Sequence, residues 1–197
     1  MTYRYKVSKN DWQYLLPFIT FSICFIATDI FESIEKTRFA YWSGGLLVEP
    51  YRIITSHFIH SNAKHLLANT FGIIIARYCL KALKLKSDSF FLLIVGLLIP
   101  LQTFIFWLID IFLFNNPISF AVGFSGILYG VDAFILLSSI FGKKHFIGLN
   151  IDIRKDQQIR QTMIVLISIG ITWSLFPSIS LIGHLAGLIA GTLMFFL

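Results

Sequence analysis

"GFSGILYG", residues Gly123–Gly130, opens one apolar run in a chain that is apolar almost throughout. A serine between glycines at such a place has two readings. It is a small residue that lets membrane helices approach closely, or it is a nucleophile set at the edge of a bilayer. The rest of the sequence decides between them.

Composition sets the class. Of 197 residues, 56% are hydrophobic and 13% charged, and the mean hydropathy is +0.78. A soluble domain of this length has too little interior to hide that much apolar surface, so an integral membrane protein is predicted. The 21 Phe and four Trp suit lipid contact and interfacial belts. Cys24 and Cys79 lie in or beside apolar runs and read as small hydrophobes, not as a disulfide framework. The net charge of +6 is divided among short loops, so it signals orientation and not a nucleic-acid surface.

A bilayer crossing needs about 20 mostly apolar residues. Six segments qualify as candidates: Tyr14–Ile30, His65–Leu83, Phe90–Phe114, Ser125–Phe141, Thr162–Phe176 and Leu181–Leu197. They predict an all-α integral membrane fold, a six-helix bundle forming one domain over residues 1–197 with no separate soluble domain. The first run follows Arg4, Lys6 and Lys9, but no small-x-small cleavage site follows Ala27, so a retained helix is expected.

Lys and Arg orient the spans. Twelve of the sixteen fall in the N-terminus, around the end of span two and after span four: Arg4, Lys6, Lys9, Arg77, Lys81, Lys84, Lys86, Lys143, Lys144, Arg154, Lys155 and Arg160. Lys36, Arg38, Arg52 and Lys64 occupy the other side. This alternation predicts both termini in the cytoplasm. The long first outer loop includes "FAYWSGGLLVEPYR" (Phe39–Arg52), an amphipathic stretch expected to lie in the outer interface.

Polar groups inside a membrane are costly and mark function by default. Three islands stand out: "HFIHSNAKHLLAN" (His57–Asn69), Ser125, and "GHLAGLIAG" (Gly183–Gly191). Spans two, four and six all start outside in this topology, so the islands converge at one depth near the outer face. Serine is a weak nucleophile that needs a base, and His184 is the candidate. His65 and Asn69, four apart on one helical face, can donate to an oxyanion. The Ser125 amide, at a helix start, can donate as well. Tyr129, one turn beyond Ser125, can pack on the His184 ring. Gly126, Gly187 and Gly191 are candidates for close helix packing. Taken singly, each residue reads as packing or interhelical glue; the functional reading rests on the three islands together.

Other chemistries fail on their residues. None of the five His is followed by Glu, so the HExxH zinc signature is missing. His57, His60 and His65 have no carboxylate or cysteine beside them, and no metal is assigned. Asp110 and Asp132 sit at different depths, against an aspartyl pair. Asp132 is expected to make a buried hydrogen bond to another helix. Ile127 stands where a G-x-S-x-G elbow needs its last glycine.

The ordered set of Arg52, "FIHSNAKHLLAN", "GFSG" with Tyr129 four beyond the serine, and "HLAGLIAG" resembles the rhomboid intramembrane serine proteases in their six-helix bacterial form. The resemblance spans about Arg52 to Gly191. It implies a Ser125–His184 dyad with no third acid, an oxyanion hole of His65, Asn69 and the Ser125 amide, and close approach of span six to span four at Gly187 and Gly191. It also implies span five and the loop before His184 as gate and cap. Substrates would be other membrane proteins, single-pass or multi-pass, cut in or near a transmembrane helix in the plasma membrane, with no cofactor. The first-loop pair reads Tyr51-Arg52 where the family has Trp-Arg. The alternative is a rhomboid-like binder of membrane proteins that does not cut them. A transporter would want polar groups at midplane and broken helices, which the clustering near one face opposes.

Overall fold

Long apolar stretches satisfy their backbone groups locally only as helices, and the computed structural model is mainly helical. It describes residues 11–31, 34–83, 90–176 and 179–197. Arg4, Lys6, Lys9, Lys84 and Lys86 of the charge pattern lie outside these. The helices are α1 (Trp12–Phe25), α2 (Arg52–Thr55), α3 (Ala63–Ala82), α4 (Phe90–Leu108), α5 (Ser125–Phe141), α6 (Gln157–Trp173) and α7 (Leu181–Phe195). α1 and α4 each continue as a π-helical turn, Ile26–Ile30 and Ile109–Leu113. The resulting Trp12–Ile30 and Phe90–Leu113 are long and apolar enough to cross a bilayer, whereas Ser125–Phe141 and Leu181–Phe195 are apolar but shorter.

α5 is the central helix. It packs most extensively on α7 and also touches α3, α4 and α6. Its buried Ile127, Val131, Phe134 and Ile135 join Phe21 of α1, Phe91, Ile94 and Leu98 of α4, and Met194 of α7 in one core. Leu15, Ile19 and Ile23 of α1 and Ile164, Val165 and Ile169 of α6 face outward, as expected where lipid is the solvent.

Two antiparallel ribbons, not anticipated from the sequence, join the helices. β1 (Tyr41–Trp42) pairs with β2 (Phe120–Ala121), tying the long first loop to the segment before α5. Trp42 and Phe120 stack across this pair at 6.1 Å. Arg52 fastens the same loop: its Nη1 donates to the carbonyls of Thr37 and Ala40, and its Nε to Glu49 at 2.5 Å. β3 (Lys143–Phe146) and β4 (Leu149–Ile153) form a hairpin where a plain loop was expected. Phe146 is buried and meets Phe90 and Phe134 edge-on, at 5.6 and 5.4 Å.

Two further expectations need correction. Span five was expected from Thr162, but α6 begins at Gln157, because the Asp156 carboxylate accepts from Ile159 N at 2.9 Å and caps a polar first turn. Asp132 makes no hydrogen bond to another helix among the described residues; the residue is half-buried, with its carboxyl near the Cys79 thiol.

Candidate active site

The approach to α5 is built to present Ser125. Gly123 has φ +112°, a conformation natural to glycine. A Cβ there would overlap the His65 ring and come 3.4 Å from Asn69 Nδ2. The Gly123 amide donates to the Ser56 carbonyl at 2.9 Å. Phe124, fully buried, packs on Phe21 and Phe58 at 5.1 and 6.2 Å. Ser125 is then the first residue of α5, and a first-turn amide has no acceptor within its own helix.

His184 reaches the serine from α7. Ser180 caps that helix, its Oγ accepting from Gly183 N at 3.1 Å. Gln102 of α4 donates through Nε2 to the Gly183 carbonyl, also at 3.1 Å. The buried His184 ring places Nε2 2.8 Å from Ser125 Oγ. Tyr129 stacks on this ring, centroids 4.3 Å apart and planes 23° apart.

Backbone contact between α5 and α7 makes this reach possible. A Cβ on Gly187 would overlap the Gly126 carbonyl oxygen, and one on Gly191 would overlap that of Gly130. A Cβ on Gly126 would come 2.6 Å from Gln102 Nε2. Gly130 was not singled out from the sequence, although it stands four residues after Gly126 in the same small-residue spacing.

His65 and Asn69 flank Gly123 from α3. His65 Nδ1 pairs with Ser61 Oγ at 3.1 Å, which leaves Nε2 toward the Gly123 side. Asn69 is buried, and its Nδ2 has no acceptor among the described residues. The other two histidines of that stretch go elsewhere. His57 Nε2 pairs with Thr103 Oγ1 at 2.8 Å, and the His60 ring stands edge-on to both Phe21 and His65. Burial pushes His57 down to about 4, and burial with His65 alongside does the same to His60. Both are neutral at physiological pH.

Beside the serine lies a cavity of about 30 Å³, bounded among others by His57, Gln102, Thr103, Gly126 and His184. It has room for one or two waters. Behind the histidine is a residue the sequence did not mark. Ser174, at the end of α6, has its Oγ 2.6 Å from His184 Nδ1. Ser174 lies 49 residues from Ser125, and nothing in its local sequence separates it from the other helical serines.

A serine hydroxyl bonded to a buried imidazole, near the unpaired Asn69 amide, is an arrangement that suits acyl transfer. The profile of the Rhomboid domain matches residues 48–197. Among curated proteins, none matches the chain. The match takes in every residue of the site and more than half of the sequence, and the chain belongs to the rhomboid family of membrane-embedded proteins.

Proposed function

We propose that this chain is an intramembrane serine protease that cuts other membrane proteins in or near a transmembrane helix. The observation that carries the reading is the 2.8 Å contact between Ser125 Oγ and His184 Nε2, a distance suited to direct proton transfer. Ser125 Oγ attacks the scissile carbonyl carbon while Nε2 takes its proton. The developing oxyanion is met by the Ser125 amide, Asn69 Nδ2 and His65 Nε2. The imidazolium returns the proton to the departing amine, leaving an acyl-Ser125 ester. A water, deprotonated by the same nitrogen, hydrolyses that ester and restores the serine. Two charged states never have to persist at this depth, because the proton shuttles between neighbours.

The remaining expectations belong to the same proposal. Six crossings form one domain, with α3, α5, α6 and α7 completing the count beside the two long segments. Both termini face the cytoplasm of the plasma membrane, and the dyad then lies toward the outer face. Exposed Trp173, Leu175 and Phe176 at the end of α6 suit a lateral entry for a substrate helix. The experiment is cleavage of a model transmembrane substrate in nanodiscs by wild type and Ser125→Ala. Cleavage by wild type alone supports the protease. Cleavage by neither, with substrate still bound, supports a rhomboid-like binder instead.

A further inference from the structure

We infer that Ser174 is a positioning residue that holds His184 in the one neutral tautomer able to act as a base. The inference rests on the protease reading for its purpose, but its geometry stands apart from it.

The argument is an account of protons. Ser174 Oγ has one hydrogen and two lone pairs. It lies 2.7 Å from the Gly170 carbonyl oxygen and 2.6 Å from His184 Nδ1. The carbonyl can only accept, so the Ser174 hydrogen goes to Gly170. If it went to Nδ1, two oxygens would face each other at 2.7 Å with no hydrogen between them. With that hydrogen committed, Oγ can only accept from the ring, and Nδ1 must carry the N–H. Nε2 is then bare and faces Ser125 Oγ at 2.8 Å, ready to receive its proton.

The rest of the shell agrees. The Tyr129 ring, stacked on His184, brings its hydroxyl against Gly170. Gly170 is the residue that makes room, since a Cβ there would overlap the Tyr129 hydroxyl. Ser174 is 2% exposed and His184 7% exposed, so water does not compete for these bonds. One hydroxyl thus joins two helices, α6 through Gly170 and α7 through His184. In soluble triads a carboxylate orients the histidine. Here a neutral hydroxyl does so, and the cost of burying a charge is avoided.

The test uses the full-length protein in nanodiscs with ring-15N histidine. The His184 signals are identified by their loss in His184→Gln. Wild type should show the proton on Nδ1. Ser174→Ala should lose that fixed tautomer and lower kcat about 10- to 100-fold, the range for one hydrogen bond to a group that becomes charged, with KM unchanged. Ser174→Thr, which keeps the hydroxyl, should restore both. A wild-type proton on Nε2, or a Ser174→Ala protein with the wild-type tautomer and kcat, overturns the inference. If wild type cleaves nothing, the protease reading fails, and the nitrogen spectra alone decide whether Ser174 orients His184.

Discussion

Gly187 meets Gly126 with no side chain between them, and a Cβ on Gly187 would run into the Gly126 carbonyl oxygen. Helix axes usually lie about 8–10 Å apart, spaced by side chains. Removing that spacer one turn below His184 is what lets its ring reach Ser125.

Gly187→Val should therefore damage stability and cleavage together. Overpacking a tight contact typically costs about 1–3 kcal/mol, and separating the dyad should lower cleavage by more than about tenfold. Asp132→Asn, half-buried and two turns deeper, should leave cleavage near wild type. Thermal unfolding and cleavage in detergent check both. Wild-type cleavage by Gly187→Val with loss in Asp132→Asn would reverse the assignment.

The oxyanion donors should show graded losses. One donor is typically worth about 10²–10³ in kcat. Asn69→Ala should cost less than that, because His65 and the Ser125 amide remain. His65→Ala should cost more than Asn69→Ala, since it also leaves the space beside Gly123 open. Unchanged rates in both would move the hole elsewhere. The readout is kcat on the transmembrane substrate.

Acid should destabilise the fold through His57 and His60. Both are pushed down to about 4, chiefly by burial, from the ordinary value near 6.5. Between those values the unfolded chain binds protons that the folded chain refuses. Their contribution is thus complete above about pH 6.5 and is lost as pH falls toward about 4, with each histidine worth on the order of 1–3 kcal/mol. Unfolding temperatures in detergent at pH 7.5 and 5 should fall accordingly, and His60→Phe, which keeps a ring against Phe21, should flatten the slope. An unchanged slope in that variant would remove His60 from the account.

Orientation is open to direct labelling. In a variant lacking Cys24 and Cys79, a cysteine replacing Lys64 should react with an impermeant thiol reagent in intact cells. One replacing Lys155 should react only after lysis. The reverse pattern would invert the topology.

Much of this architecture was legible because apolar length and polar exceptions are one-dimensional signals. The bounds of α5, Ser125 to Phe141, coincide with the apolar run between Gly123 and Gly142, both at positive φ. The start of α6 was missed because a hydropathy window passes over Gln157, Gln158 and Arg160, although Asp156 was a readable cap. The β3–β4 hairpin was also readable in part: Phe146, Ile151 and Ile153 turn inward around a Gly148 turn. Ser174 was not readable at all. Its role exists only where the end of α6 meets the start of α7, and such meetings leave no periodic mark in a single sequence. Asp132 was misread for a related reason, since a lone acid in an apolar run implies a partner that only the packing can supply.

The central claim is that His184 activates Ser125. A fluorophosphonate reacts with an activated serine by bonding phosphorus to Oγ and expelling fluoride, and intact-mass spectrometry with peptide mapping locates the adduct. The account predicts a single adduct on Ser125 in wild type, none in Ser125→Ala, and a reaction in His184→Ala slowed by at least about 10²-fold, the low end for losing a general base. An adduct on another residue, or one formed on Ser125 at the wild-type rate without His184, would contradict it.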